Sequence, residues 1–393
     1  MKILQITSDY VPRPLWGMGW HVKQIVSGFS EISDSEVYVA TASKSSKEGI
    51  NMICTDVETD RKLLSDNPYE IFNDFENFNK WQLALAKNIL NSGKKFDIIH
   101  AHNWMSWLTA KEVKKYMPDA KIYITFHLLQ RQYELMKDNP IPSHHDEIVE
   151  IEQEAINLAD GVVILSDSQI NLLESHYDID SKKMHLIPHS INFILKDFST
   201  LKVLKKKSNV VRLVFLGRVE EDKGIREVLE VFKLLCGQYE LSLDVIGDGP
   251  ILKDLKEKYL NGNIKFWGYL DRVSIESILQ DSHMFCMPSS SENLPLTVLE
   301  AMGFGLVPVF TSGSSVPHIY DHDYHGKLIK LIDRGGKLVP DKEQLLLEIE
   351  DLLKNPEKIT KMSERSYKLI SKKYSVRKMI ESLIDLYGNK LQD

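Results

Sequence analysis

The stretch ENLPLTVLE, residues 292–300, sets two carboxylates, Glu292 and Glu300, eight positions apart around Pro295 and an apolar run. Proline suits the first turn of a helix, so Glu292 is expected in the loop before a helix and Glu300 inside it. An ionised carboxylate only accepts hydrogen bonds, and it can take them from two neighbouring hydroxyls. Vicinal diols of that kind occur on ribose and on hexoses. A second constellation lies upstream in LVFLGRVEEDKGIREVLEVF, where Arg218 and Lys223 follow a strand ending at Gly217 and precede a helix starting near Gly224. Arginine and lysine beside a helix N-terminus can grip a diphosphate without a metal. Each set also has a plainer reading. Acids near a helix N-terminus meet its dipole favourably, and Arg218 and Lys223 can pair on the surface with Glu220, Glu221 and Asp222. Together the four residues fit a nucleotide-sugar, with hydroxyls at each end and a diphosphate between.

Other stretches add weaker signals. The first strand, KILQIT, runs into SDYVPRPLWGMGWHV, which places Gly17 and Gly19 just before a helix expected near Trp20. Glycines there let backbone N–H groups approach an anion, although a plain turn explains them equally well. It is not a dinucleotide fingerprint, because G-x-G-x-x-G is absent. LDVIGDGP and IKFWGYLD each read as a strand followed by a glycine turn, and backbone groups of Leu270 could meet a flat base. Trp104 and Trp107 could stack on a sugar, but their helical spacing points at least one of them into the core. Asp178-Ile-Asp180 and Asp321-His-Asp323 mimic a metal-binding D-x-D and are expected in polar connections. His144-His145-Asp146 is read as a solvated helix N-terminus, so no metal ligands are assigned.

The elements that must position these residues alternate short β-rich runs with longer helical patterns. Strands are expected at Ile3–Thr7, Val37–Thr41, Asp97–His100, Ile122–Phe126, Val162–Leu165 and Met184–Pro188, with helices such as Trp81–Leu90, Trp104–Tyr116 and His145–Leu158 between them. The pattern fails from Asn192 to Asn209, where lysine, serine and threonine accumulate, and resumes at Val211–Leu216. Such alternation means parallel, doubly wound sheets. The expectation is an α/β chain of two Rossmann-like domains with a cleft between them: residues 1–190, a linker at 191–209, residues 210–375, and a C-terminal helix at 376–393 packing back on the first domain. Ligands of such sheets bind beyond the carboxyl ends of the strands.

Composition narrows the class. The chain has 393 residues, 43% of them hydrophobic, and a formal net charge of −7. That balance argues against nucleic acid as a partner, since its binders cluster basic residues. Residues 1–190 hold 19 Lys/Arg against 27 Asp/Glu, so the acidity belongs to the first half. No segment approaches eighteen continuous apolar residues, so no transmembrane helix is expected. MKILQITSDY lacks the form of a secretory signal. Cys54, Cys236 and Cys286 show no paired spacing, which suggests a reduced, cytoplasmic setting.

With these motifs in view, the chain resembles the retaining glycosyltransferases of family 4, which have the two-domain GT-B fold. The resemblance covers nearly the whole chain and is most specific in GRVEEDKG, VIGDGP, FWGYL and ENLPLTVLEAMGFGLVPV, which fits the family's E-x7-E pattern. It implies that Glu292 contacts the transferred sugar and Glu300 the nucleotide ribose, that Arg218 and Lys223 hold the diphosphate, and that Leu270, Leu296 and Thr297 line the donor. Gly17, with Gly19, matches the glycine loop of the N-terminal domain. His127, in ITFHLL, matches a histidine beside the reacting centre, where burial in the core would otherwise explain it. HAHNWMSWL resembles the HAHDW segment of glycogen-synthase-like members and implies an acceptor role for His102, Asn103 and Trp104. IPHSIN departs from the family, whose members usually have Asn-Gly after IP, and His318 stands where many carry Glu.

The implied reaction is metal-independent transfer of a hexosyl group, with retention, from a UDP- or GDP-sugar to a hydroxyl of a soluble saccharide or small molecule, with no cofactor and no stable membrane insertion. Arg218, Lys223 and the glycine loop would stabilise the leaving diphosphate, and His127 would orient the sugar or acceptor. On the same fold, a nucleotide-sugar epimerase, a phosphorylase or a non-catalytic nucleotide-sugar binder are the competing readings.

Overall fold

The computed structural model describes every residue except 11–16, 42–50, 55–74, 136–143, 192–197, 199–209, 260–261, 291, 293–294, 313–318 and 389–393. Most of the expected linker, His318 and part of the loop following His127 lie outside the described residues. The chain divides into two compact units, Met1–Ser190 with Val376–Asp393, and Ile191–Ser375.

The first unit is built on strands β1 (Lys2–Ile6), β2 (Glu36–Thr41), β3 (Asn51–Cys54), β4 (Ile98–His102), β5 (Lys121–Thr125), β6 (Gly161–Ile164) and β7 (Met184–Leu186). They pair throughout in parallel, in the order 3-2-1-4-5-6-7. Between them run α1 (Gly17–Ile32), α2 (Phe75–Asn91), α3 (Trp104–Tyr116), α4 (Gln132–Leu135), α5 (His145–Leu158) and α6 (Asp167–His176). Central strands such as β4 and β6 are buried at every position, as a sheet covered on both faces requires. One face packs against α2, α3, α5 and α6 through Trp81, Leu85, Trp107, Val113, Ile148 and Leu173.

The second unit repeats the plan with β8 (Val211–Leu216), β9 (Leu241–Ile246), β10 (Ile264–Gly268), β11 (Met284–Cys286), β12 (Val307–Ser312), β13 (Lys327–Arg334) and β14 (Lys337–Pro340), in the order 10-9-8-11-12-13-14. Its helices are α7 (Ile225–Leu235), α8 (Leu252–Lys258), α9 (Arg272–Asp281), α10 (Leu296–Gly303), α11 (Lys342–Lys354) and α12 (Pro356–Lys373). The last pair, β13 and β14, is antiparallel, where the strand–helix alternation predicts parallel pairing. Its signal is legible in KLIKLIDRGGKLVP, because Gly335 and Gly336 both take positive φ, as a tight hairpin turn demands.

The final helix, α13 (Val376–Tyr387), belongs to the first unit. It covers the sheet face opposite α2 and α3, with α1 alongside: Met379, Ile380, Leu383 and Ile384 meet Val22, Ile25 and Phe29. Gly28 makes that approach possible, since a Cβ there would lie 2.6 Å from both Ile380 Cγ1 and Val376 Cγ1. Gly28→Leu is therefore expected to destabilise the first unit by about 1–3 kcal/mol through overpacking. Limited proteolysis should then cut α13 before the second unit is attacked.

Candidate active-site residues in the two units

In the second unit the chain crosses itself at glycines. Gly247, at φ 133, runs so close to Gly217 that a Cβ would fall 1.8 Å from the Gly217 carbonyl oxygen. Gly224, at φ 70, opens α7 against Pro288. The Asp222 carbonyl then anchors the loop after β11, accepting the Ser290 N–H at 2.7 Å and the Ser289 hydroxyl at 3.1 Å. This anchoring seats Lys223 beside Glu292. The buried Lys223 Nζ lies 2.8 Å from Glu292 Oε1 and 3.2 Å from Asp222 Oδ2. Burial alone would lower the ammonium pKa, but Glu292 and Asp222 outweigh it and hold it above the ordinary lysine value. Arg218 is close enough to oppose that effect, and its half-exposed guanidinium lies 3.0 Å from Glu220 Oε1. The plain salt-bridge reading and the anion-binding reading thus describe the same cluster.

Pro295 takes the cap position of α10 rather than its first turn, which leaves Glu292 in the loop and Glu300 in the helix. Burial pushes the Glu300 carboxyl up, while Arg272 opposes the shift through a 2.9 Å bond from Nη1 to Oε1. Arg272 opens α9 and also holds Glu276 at 2.9 Å. Its role could not be read from the sequence, because no spacing links it to Glu300. Leu270, Leu296 and Thr297 are partly buried at the starts of α9 and α10, with Thr297 Oγ1 3.8 Å from Met287 Sδ.

In the first unit, α1 begins at Gly17, so both glycines lie in its first turn and not in the loop before it. Asp9, a buried residue, bonds this first turn. Its Oδ2 accepts the Gly19 N–H at 3.1 Å and satisfies a donor that would otherwise face an anion. Gly17 is exposed at the head of the helix.

A row of imidazoles runs from β4 to the residues just past β5. His102 Nε2 is 2.8 Å from Gln5 Oε1, and its Nδ1 is 3.1 Å from His127 Nε2. Because Gln5 Oε1 can only accept, His102 carries its proton on Nε2 and accepts from His127. The chain continues inward: Gln5 Nε2 faces the Tyr387 hydroxyl at 3.5 Å, that hydroxyl lies 2.5 Å from His100 Nδ1, and His100 Nε2 lies 2.8 Å from Thr125 Oγ1. Every donor points the same way, from His127 towards Thr125. Burial holds His21, His102 and His127 well below the ordinary histidine value, with neighbouring rings adding to the shift, and takes His100 and His189 to about 3. All five are neutral at pH 7.

The three residues expected at the acceptor are all buried. His102 is fully buried with both ring nitrogens engaged. Trp104 is buried against Phe78, with ring centroids 5.4 Å apart. Asn103, also buried, uses Oδ1 to accept the His127 N–H at 2.6 Å. Of the four residues, His127 alone is partly exposed, and its neighbours His102 and Asn103 bond it. Trp107 is core, its Nε1 bonded to Glu154 at 3.0 Å. His145 bonds Glu134 at 2.7 Å, Asp180 caps the turn at Ser181–Lys183, and Lys327 bonds Asp323, Glu348 and Asp351 where a cation would otherwise sit.

Two family descriptions match this chain, Glycosyltransferase Family 4 over residues 17–193 and Glycosyl transferases group 1 over residues 198–369. The chain belongs to the group 1, family 4 glycosyltransferases. It is 24% identical to a Bacillus subtilis protein named uncharacterized glycosyltransferase YqgM, over 98% of this chain and 97% of that one. It is 25% identical to the 2-deoxystreptamine N-acetyl-D-glucosaminyltransferase of Niallia circulans, over 79% and 81%. The fold matches sucrose-phosphate synthase from Thermosynechococcus elongatus with a TM-score of 0.79 at 16% identity, covering 98% of both chains. Anabaena HepE, solved with UDP and glucose, gives 0.72 at 13% identity, over 99% and 100%. The architecture is that of a two-domain α/β GT-B glycosyltransferase.

Two features of this glycosyltransferase can be tested directly. Asn103 adopts φ 61, ψ 172, a region nearly reserved for glycine that costs about 1–3 kcal/mol elsewhere. Asn103→Asp, which keeps the acceptor for His127, should retain activity within about threefold. Asn103→Gly relieves the strain but frees His127, so it should lower kcat about 10-fold or more while Tm is held. The second feature is Glu152, fully buried, which accepts the Gln130 N–H at 3.0 and 3.1 Å and the Tyr177 hydroxyl. Burial raises its carboxyl from 4.5 to about 8, against the pull of those bonds. The native state therefore binds the extra proton between those values, and stability falls as pH rises through them. By calorimetry, Glu152→Gln should melt near the parent's temperature at about pH 5 and several degrees above it at about pH 9.

Proposed function

We propose that this glycosyltransferase moves a hexosyl group, with retention and without a divalent metal, from a UDP- or GDP-sugar to a hydroxyl of a soluble saccharide or amino-sugar-like acceptor. The single observation that carries the reading is the Lys223–Glu292 pair at 2.8 Å, with Glu300 held by Arg272 in the same unit. A carboxylate beside a diphosphate would repel it. Lys223 removes that conflict, because an ammonium has three donors and can hold Glu292 and a phosphate oxygen together. Glu292 is then free to accept sugar hydroxyls through its second oxygen, and Glu300 accepts from a ribose. Arg218 contributes a half-exposed charge to the diphosphate. Leu270, Leu296 and Thr297 complete the donor side, and Gly17 offers its helix terminus.

Transfer would join the acceptor oxygen to the anomeric carbon on the face from which the diphosphate departs. The carbon–phosphate-oxygen bond breaks, and the departing phosphate takes the acceptor's proton. His127, neutral and oriented by His102 and Asn103, serves the sugar or the acceptor as a hydrogen-bonding group. The aminocyclitol named for the Niallia circulans relative supports a soluble acceptor, as does the net acidity of residues 1–190, which disfavours anionic lipid. The three free cysteines suit a cytosolic setting.

A panel of UDP-, GDP- and ADP-sugars scored by hydrolysis, then by transfer, tests the reading. Activity should persist in EDTA, and the product's anomeric configuration should match the donor's. A requirement for free phosphate would instead identify a phosphorylase, and turnover without acceptor or water an epimerase. Glu300→Ala should weaken nucleoside-diphosphate binding roughly 10- to 100-fold. Glu292→Ala should lower kcat by about 100-fold with a smaller effect on that binding. Equal effects of the two on nucleotide affinity would reverse the assignment.

A further inference from the structure

Four histidines of the first unit meet at the carboxyl ends of its strands: His21 on α1, His102 at the end of β4, His127 just past β5 and His189 shortly after β7. One ring nitrogen from each of His21, His102 and His127 lies within 4.8 Å of those of the other two. The His102 Nδ1 to His127 Nε2 separation is already 3.1 Å. Two imidazole nitrogens on a tetrahedral zinc, each 2.0–2.1 Å from the metal, stand about 3.3 Å apart. His21 meets the other two rings near-perpendicularly, at 74° to His102 and 76° to His127. We propose that His21, His102 and His127 form a binding site for a borderline-soft divalent cation of the zinc class, with His189 in support.

The protonation states suit such an ion. Neutral imidazole is the ligand form, and burial keeps all three rings neutral near pH 7, so no net proton has to leave. The proton on His127 Nε2 moves to Nδ1, and the metal takes its place between His102 and His127. The supporting contacts are already those that orient metal-bound histidines. Gln5 fixes His102 with its Nδ1 lone pair outward, and His189 Nδ1 holds His21 Nδ1 at 2.9 Å. His189 stands in IPHSIN, where the related family usually has asparagine, so this support is a feature of this chain. The partly exposed His127 gives solvent access on one side. An all-imidazole donor set selects zinc, cobalt, nickel or copper and leaves magnesium and manganese to oxygen ligands. A fourth position would go to water, hydroxide or a small anion. Such a site is compatible with transfer that needs no metal, and an ion held there would withdraw His127 from the sugar.

Cobalt(II) is the probe, added to the full-length protein after chelator treatment and dialysis. One Co²⁺ per chain should bind with the intense visible bands of tetrahedral coordination. One equivalent of Zn²⁺ should displace it, and Mg²⁺ and Mn²⁺ should not. His21→Ala and His102→Ala should each weaken binding at least 10- to 100-fold, while the double variant His144→Ala/His145→Ala should leave it unchanged. X-ray absorption at the zinc edge on the unaltered chain, showing three imidazole nitrogens at about 2.0 Å, tests the site without relying on any variant's folding. Weak six-coordinate spectra, or binding that survives loss of His21 and His102, would overturn the proposal. In the transfer assay, micromolar Zn²⁺ should inhibit and chelator should restore activity. That arm rests on the proposed function and the spectroscopic arms do not, so a failure of either can be told apart.

Discussion

The hydrogen bond between the Tyr387 hydroxyl and His100 Nδ1, 2.5 Å long, ties the last helix of the chain to the middle of the first sheet. Both groups are fully buried, and so are the Gln5, His102 and Thr125 side chains that continue the chain of bonds. An unsatisfied polar group in that setting costs about 1–3 kcal/mol, and a charged imidazole considerably more. The imidazoles must therefore stay neutral and fully partnered, and the Gln5 amide, with Oε1 on His102 and Nε2 on Tyr387, fixes the order of donors. That order starts at His127, the one member with partial access to solvent. The Gln5 amide thus sets which His127 nitrogen donates to His102. The close packing of α13 on α1 at Gly28 holds Tyr387 in this chain of bonds.

The second unit handles polar burial differently, although its sheet has the same strand order. Lys223 and Glu300 are each carried into the interior beside an ionisable partner of opposite type at 2.8–2.9 Å. Burial and pairing pull in opposite directions at both sites. At Lys223 the carboxylates prevail, and at Glu300 burial does. Removing one partner from such a pair strands the other charge, which costs several kcal/mol. Arg272 is consequently as necessary to the placement of Glu300 as Asp222 and Glu292 are to that of Lys223.

Much of the architecture was legible because period and composition report burial. Strands covered on both faces read as continuous apolar runs, and helices such as Trp104–Tyr116 and His145–Leu158 fall where the pattern puts them. Strand β3, NMIC, has too few residues to show a period, and β13–β14 was hidden by its lysines although the Gly-Gly turn was visible. The placement of Arg218, Lys223 and Glu292 after strand ends was legible because turn glycines and strand ends mark them locally. What could not be read were contacts between distant segments. Trp104 resembles a sugar-stacking residue until Phe78, on another helix, packs edge-on against it. Asp9 gives no sign in the sequence that it accepts the Gly19 N–H, and Arg272 carries no local mark at all.

Burial also separates residues that a small molecule could reach from those committed to protein neighbours. His102, Asn103 and Trp104 belong to one short motif, yet each is buried and committed to a neighbour. Asn103 shows what the commitment is worth. Its backbone is strained, and the strain persists because its N–H bonds the Thr125 carbonyl at 2.9 Å while its side chain fixes the His127 amide. A glycine would adopt that backbone freely but would supply no acceptor for His127. The asparagine accepts a conformational cost in exchange for aim, and that exchange is worthwhile only if the position of His127 matters to the reaction.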